Sequence, residues 1–297
     1  MSKKLTDVDI PPGRYVLAVS GGVDSLVLLD LLASRRGTEI IVAHFNHGIR
    51  SDSGNDEALV KEVAALHGLE FTVGHGKLGA NASEEKARDA RYRFLNKTKD
   101  KYQAAGIITA HHQNDLIETA VINLIRGSGR LGLTAIQSNQ NIIRPLLEVP
   151  KEEVLLYANH HAIKWNEDST NSDTKYLRNY VRLRIVPKLS EFEKRELIKN
   201  IDKVAKNREE LDKLIATLSH TILQNKTINR NKYAALPEPL ANEVLAYWLR
   251  MENVQFDRST IERVKIGLKT AKAESKLDVA SGLQLIIGTS DAQFTNR

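Results

Sequence analysis

Six residues near the N-terminus, Ser20, Gly21, Gly22, Val23, Asp24 and Ser25, combine two glycines, two hydroxyls and one carboxylate between the apolar runs VLAV and LVLLDLL. The glycines let the chain turn sharply and bring backbone N–H groups against an anion. Ser20 and Ser25 add hydroxyl donors, and the helix that follows contributes the positive end of its dipole. This is chemistry for phosphate. Asp24 is the discordant member, because a carboxylate in the same loop repels an anion. The loop also lacks the Lys-Ser or Lys-Thr pair of a Walker loop and the G-x-G-x-x-G spacing of a dinucleotide site. A tight turn followed by an acidic first helical turn explains the same residues without any ligand.

Three further clusters argue for a site. His44, Asn46, His47 and Arg50 fall within AHFNHGIRSDS. Two histidines without a third ligand at metal spacing do not make a zinc site, whereas Arg50 suits contact with phosphate or ribose. In TAHHQNDLIETAVINLIRGSGRLGL, His111 and His112 close an apolar run. Asp115 and Glu118 have the spacing of an N-cap and its N3 partner in a capping box. The same carboxylates, together with Asp24, could hold Mg²⁺ on nucleotide phosphates, since Mg²⁺ takes one or two carboxylates and completes its shell with phosphate and water. Arg126 and Arg130 flank Gly127 in a cationic loop suited to a leaving pyrophosphate. The last cluster, NEDSTNSDTKYLRNYVRLRIVP, turns from acidic to basic. Its Arg178 and Arg182 share a face if the segment is helical, which with Asn179 and Arg184 reads as an ordinary charged face or as a contact for an RNA backbone.

These residues need a scaffold, and the chain supplies alternating elements. YVLAVS, EIIVAHF, LEFTVG and GIITAH read as short strands, each followed by a longer amphipathic segment. That order predicts an α/β fold with a parallel doubly wound sheet, whose ligands bind beyond the carboxyl ends of the strands. NIIRPLLEV offers one more strand, and a helix is expected from Pro150. From about Phe192 to Leu223 the pattern predicts one long helix. Two more helices follow, LPEPLANEVLAYWLRM and DRSTIERVKIGLKTA, the second capped by Asp257 or Ser259. The end reads as a hairpin around Ser281-Gly282. The expected organisation is therefore a catalytic domain over 1–190, a connecting helix over 191–225, and a smaller, mostly helical domain with a C-terminal hairpin over 226–297.

Composition narrows the function classes. The 297 residues are 41% hydrophobic and 27% charged, enough to bury roughly three quarters of the unfolded surface. No apolar run approaches the ~20 residues of a membrane helix. The opening MSKKLTDVDIPPGRY lacks the apolar core of a signal peptide, so a cytoplasmic location is expected. The absence of cysteine excludes disulfides, thiolate metal sites and cysteine nucleophiles. A net charge of +6 permits a polyanionic partner without requiring one.

SGGVDS resembles the PP-loop of N-type ATP pyrophosphatases, an adenine nucleotide alpha hydrolase-like fold. The series AHFNHGIR, ARYRFL, AHHQNDLIET, RGSGRLGL, IRPLL and EDSTNSDTKYLRNYVRLRIVP resembles the tRNA(Ile)-lysidine synthetase family, in family order from residue 16 to 187. The resemblance implies ATP as substrate, Mg²⁺, L-lysine, and a tRNA(Ile) with a CAU anticodon. The wobble cytidine is adenylated with release of pyrophosphate, and lysine then displaces AMP to form lysidine. It places Ser20 to Ser25, Arg50, His111 and Gly127 on ATP, and Asp24, Asp115 and Glu118 on the metal. Arg126 and Arg130 join the catalytic set, and Arg178, Asn179, Arg182 and Arg184 go to tRNA. Asp168 and Asp173 are candidate partners for the lysine ammonium. Asn114 and Leu116 depart from the family pattern, standing where it has Asp and Gln, and the loss of one carboxylate either shifts metal binding towards Asp115 and Asp24 or weakens it. Longer members carry a further C-terminal domain. A homodimer is compatible with the chain, and a non-catalytic adenine-nucleotide-binding regulator on the same fold is the alternative. The lack of cysteine argues against the related tRNA thiolases.

Overall fold

The computed structural model describes residues 5, 8–48, 53–76, 79, 84–127, 130–139, 141–166, 177–254, 256–280 and 282–296. The chain divides into two compact units, Met1–Ala205 and Lys206–Arg297.

The first unit is built on five parallel strands, β1 (Gly13–Ala18), β2 (Thr38–Asn46), β3 (Glu70–His75), β4 (Gly106–Thr109) and β5 (Ile142–Ile143), in the order β3-β2-β1-β4-β5. Period-two alternation shows why both faces of this sheet are covered. Tyr15, Leu17, Ile40, Val42 and Ile108 join one core, with Leu26 and Leu29 of α1 (Val23–Ala33), Val60 and Ala64 of α2 (Ser53–Leu66), and Val154 of a later helix. The intervening Val16, Ala43 and Ile107 point the other way and pack with Leu95 and Tyr92 of α3 (Glu84–Lys101). A strand apolar on both sides is the signature of a doubly wound sheet, so the expected fold class is the one observed.

α4 (Gln113–Ile125) follows β4, and a short helix, α5 (Arg130–Leu133), follows that. α6 (Lys151–His160) starts after Pro150, with Glu152 and Glu153 in its first turn where the dipole favours them. The basic segment is not one regular helix. A single turn, α7 (Leu177–Tyr180), passes into a π-helical turn over Val181–Ile185 and a 3₁₀ turn over Val186–Lys188, with Val181 and Val186 buried beside Ile117 and Ile122. The expected long helix is α8 (Glu191–Ile222), and the division between the two units falls inside it.

The second unit holds α9 (Arg230–Ala234), α10 (Glu238–Met251) and α11 (Arg258–Thr270) against a five-stranded antiparallel sheet. Asp257 caps α11, accepting from Thr260 N at 2.8 Å. The C-terminal hairpin, β8 (Ser275–Ala280) with β9 (Leu283–Ile287), is extended by β10 (Asp291–Asn296), which pairs with β7 (Thr227–Asn229) and through it reaches β6 (Leu223–Gln224). β6 and β7 are too short to show a period. They are joined at Asn225 and Lys226, both with positive φ; β7 is held by β10, more than sixty positions away, and β6 pairs with β7. Among the described residues, no helix is long and apolar enough to cross a membrane.

Candidate active site

The chain runs from β1 to β2 and β3 on one side, and to β4 and β5 on the other. The order therefore reverses between β1 and β4, the position where open α/β sheets bind ligands. The SGGVDS loop leaves the carboxyl end of β1, and His111-His112 leaves that of β4.

The loop is held from within and from outside. Ser25 Oγ accepts from Ser20 N at 3.1 Å and donates to Gly22 O at 2.8 Å, closing the turn with a buried hydroxyl. Gly21 has φ +94°, and a Cβ there would stand 3.1 Å from Asp56 Cβ, so glycine is required both by conformation and by space. Asn166 clamps the same point, donating from its backbone to Gly21 O at 3.2 Å and from Nδ2 to Asp56 Oδ1 at 2.8 Å. Gly22 caps α1 without any side-chain bond, and the N–H groups of Val23 and Asp24 find no acceptor among the described residues. A helix N-terminus with unspent donors behind a glycine turn is an anion cradle.

Beside the cradle lies a row of alternating charge. Lys151 Nζ donates to Asp24 Oδ1 at 2.5 Å. His112 Nε2 stands 3.7 Å from Asp24 Oδ2 and 3.5 Å from Asp115 Oδ2. Arg182 then reaches Asp115 Oδ1 at 3.3 Å and grips Glu118 with two bonds of 2.7 and 2.9 Å. His112 Nδ1 accepts from Asn114 N at 3.2 Å, which puts the proton of the neutral ring on Nε2, between the two aspartates.

Burial alone would raise Asp115. The His112 and His111 imidazoles, the His112 N–H and Arg182 outweigh it and hold the carboxyl below its usual range. Burial lifts Glu118, which is 1% exposed, while the Arg182 fork pulls it back part of the way. Burial would also lower Arg182, but its bond and charge pairing with Glu118 raise it above the ordinary arginine value. Burial depresses His111 to about 3, so its ring is neutral at physiological pH.

The structure corrects the expected capping box. His112 is the N-cap of α4 and Asp115 its N3 partner, accepting from His112 N at 2.9 Å. The helix begins one turn earlier than the Asp115–Glu118 spacing suggests, because an imidazole nitrogen serves as the cap. Glu118 is thereby released from capping and is committed to Arg182. Both of its oxygens pair with Arg182 and it is almost fully buried, whereas Asp24 and Asp115, although engaged by Lys151, His112 and Arg182, keep partly exposed side chains and are the more accessible members of the expected metal set. Two carboxylates are the number Mg²⁺ takes from a protein when phosphate and water complete its shell. Among the described residues, no three His, Cys, Asp or Glu side chains form a metal group on their own. Leu116, at the departure from the family pattern, is buried with Ala120, Ile136 and Leu147.

Other expected residues scatter. Arg126 is the exposed C-cap of α4, and Gly127 follows it with φ +66°. Arg130 opens α5. Arg178 lies against α4, its Nη2 donating to Thr119 Oγ1 at 3.3 Å, and Asn179 is half-buried. Arg184 is exposed. Arg50, Asp168 and Asp173 lie outside the described residues. Sequence reasoning missed Lys151 as a site residue. The available signal was a lysine in the first turn of a helix, where the dipole disfavours cations unless a carboxylate such as Asp24 receives it.

The fold and the loop together define a PP-loop nucleotide-binding domain, and a family described as PP-loop domain matches residues 2–189. Among solved structures, the U34-tRNA thiolase NcsA from Methanococcus maripaludis, solved with its 4Fe–4S cluster, superposes with a TM-score of 0.55 at 19% identity, covering 68% of this chain and 75% of that one. That likeness is one of fold. Relatives narrow the family further. A tRNA(Ile)-lysidine synthase of Chlorobaculum tepidum is 34% identical over 298 residues, covering 94% of this chain and 90% of the relative. The enzyme of the same name from Thermotoga sp. (strain RQ2) is 39% identical over 190 residues, 60% of this chain and 46% of the relative. That of Thermosipho africanus is 40% identical over 184 residues, 59% and 43% respectively. The chain belongs to the tRNA(Ile)-lysidine synthase family, and it spans less than half the length of the Thermotoga and Thermosipho members.

Proposed function

We propose that this chain joins L-lysine to the wobble cytidine of a tRNA(Ile) with a CAU anticodon, at the expense of ATP. The observation that supports this most is the charge row Lys151–Asp24–His112–Asp115–Arg182–Glu118 beside the PP-loop, in a chain that aligns with a lysidine synthase over nearly its whole length. In the first step O2 of the cytosine attacks the α-phosphorus of ATP, the bond from that phosphorus to the bridging oxygen breaks, and pyrophosphate leaves. In the second the uncharged ε-amine of lysine attacks C2, the C2–O2 bond breaks, AMP departs, and the amine loses its proton.

The N–H groups of Val23 and Asp24 and the Ser20 hydroxyl would hold the departing pyrophosphate, with Arg126 and Arg130 offering further cations. Asp24 and Asp115 would hold Mg²⁺, which supplies charge neutralisation on the phosphates. Lys151 aims Asp24 through its hydrogen bond, and Arg182 fixes Asp115 and Glu118 relative to each other. Arg184, exposed beyond that pair, is left for the RNA backbone together with Arg178 and Asn179 at its margin. The cytoplasm, where ATP, lysine and tRNA meet, is the proposed location.

Incubation with unmodified tRNA(Ile) CAU transcript, ATP and labelled lysine tests this. Label is expected in the tRNA, with AMP and pyrophosphate as products. Labelling of elongator tRNA(Met) at a similar rate would refute the specificity, and ATP binding without turnover on any tRNA would favour a nucleotide-binding regulator.

A further inference from the structure

Arg144 stands just beyond β5, at the carboxyl end of the sheet, and is 5% exposed. Its Nη1 donates to Gln137 O at 2.8 Å and its Nε to His111 Nδ1 at 3.4 Å. Nη2 makes no hydrogen bond to a described residue, and no described carboxylate lies within ion-pair distance. A buried guanidinium without a counter-ion is a costly arrangement. It is made worse here by Arg88, whose like charge, after burial, also pushes the Arg144 guanidinium down from its ordinary value.

The described neighbours add donors and no carboxylate. The Tyr92 oxygen faces the Arg144 guanidinium and partly offsets the cost of its burial, while the Tyr92 O–H is buried and donates to no described residue. His111 Nδ1 lies 2.8 Å from Thr109 Oγ1 and also receives Arg144 Nε. Because a guanidinium only donates, Nδ1 is the bare nitrogen and the ring carries its proton on Nε2, a donor with no acceptor among the described residues. Arg144 Nη2, Tyr92 OH and His111 Nε2–H thus form a set of unspent donors around a cation that lacks an anion.

We propose that Arg144, with Tyr92 and His111, forms a binding site for a phosphate oxyanion. An oxyanion satisfies all three donors and supplies the missing counter-charge in one step. Two sources carry this chemistry: the phosphates of the nucleotide and the backbone of the RNA. The site requires only that the ligand carry phosphate, so it would stand even if lysidine formation were disproved.

The test uses the full chain carrying Arg144→Met, with affinities for ATP and for an unmodified tRNA(Ile) CAU transcript measured separately and the unliganded melting temperature recorded. Removing a cation without a counter-ion should leave that temperature unchanged or higher. Affinity for one of the two ligands should fall at least about tenfold, the loss of a charge-assisted hydrogen bond. A loss confined to ATP assigns the site to the nucleotide. A loss for tRNA, with the salt slope reduced by about one, assigns it to the backbone. Unchanged affinity for both, with a lowered melting temperature, would make Arg144 a structural pin on Gln137 and His111 and overturn the proposal. Should Arg144→Met fail to fold, Tyr92→Phe removes a single hydroxyl and leaves Arg144 its bonds to Gln137 and His111. It should leave the melting temperature alone while weakening the same ligand roughly threefold or more, and unchanged binding to both ligands would equally overturn the proposal.

Discussion

Arg182 meets Glu118 through two parallel bonds, Nε to Oε1 at 2.7 Å and Nη2 to Oε2 at 2.9 Å, and Nη2 also reaches Asp115 Oδ1 at 3.3 Å. Glu118 is buried in α4 and depends on this guanidinium for its charge balance. Arg182→Ala should therefore cost about 3 kcal/mol of stability, the penalty of leaving a buried carboxylate alone. Arg182→Lys should lose part of that, since a lysine cannot form the fork. Denaturant unfolding measures both. An alanine variant as stable as the parent would show that the pair does not form.

Exposed Arg184 offers a contrast two residues away. Arg184→Ala should change stability by less than about 0.5 kcal/mol while lowering tRNA affinity and reducing the salt slope by about one. Titrations of tRNA at several salt concentrations decide the matter; an unaltered slope would remove Arg184 from the RNA contact.

Asp24 bridges Lys151 and His112 at the mouth of the PP-loop. It makes no capping bond for α1, whose N-cap is Gly22. Asp24→Asn should accordingly reduce ATP-dependent pyrophosphate release on the order of 100-fold, with little change in melting temperature. A large loss of stability with activity retained would make Asp24 a structural residue of the helix start. If Asp24 and Asp115 hold Mg²⁺, chelation should abolish turnover of the parent protein and added Mg²⁺ should restore it.

The sheet was legible because its signal is local. Tyr15, Val16 and Leu17 alternate between two cores, and four such runs, each followed by an amphipathic segment, admit few topologies. The phosphate loop was legible for the same reason, since its glycines and hydroxyls are neighbours in sequence. What remained hidden depends on meetings between distant residues. Lys151 is 127 positions from Asp24, and Arg182 is 64 from Glu118. The Asp115–Glu118 spacing matched a capping box, but whether an imidazole could take the cap instead depends on the approach of β4, which a window of four residues does not contain. β6 and β7 were invisible because they are too short to show a period, and β7 is placed by its pairing with the distant β10, β6 by its pairing with β7.

Gly21 couples the loop to α2 and to the segment carrying Asn166. Alanine at this position would have to adopt φ near +94° and place Cβ 3.1 Å from Asp56 Cβ. Gly21→Ala should cost roughly 1–3 kcal/mol and weaken ATP binding, because relief of the strain moves the N–H groups of the cradle. Gly79, whose Cβ would meet nothing within 4 Å, also has positive φ and serves as the control. Gly79→Ala should carry the conformational cost alone and leave ATP affinity intact. Equal losses of ATP affinity in the two variants would disprove the coupling to Asp56.

His44 in β2 and His47 just after it make the first unit sensitive to mild acid. His44 is 3% exposed and donates from Nδ1 to Val19 O at 2.8 Å, directly before the phosphate loop. Burial lowers its affinity for a proton against the opposing effects of that bond and of Glu57 and Asp56. Burial, then Arg91 and His44, lowers His47 to about 4. In the unfolded chain both titrate near the ordinary value of about 6.5. Between that pH and about 4 the unfolded state binds a proton that folded His47 refuses, so stability is complete above about 6.5 and declines as the pH falls through this window. The limiting slope is about 1.4 kcal/mol per pH unit for each histidine that stays neutral. Denaturant melts from pH 7.5 to 5 should show that decline, and His47→Gln, which has no proton to take up, should flatten it. A slope identical in parent and variant would mean that His47 is protonated in the folded protein.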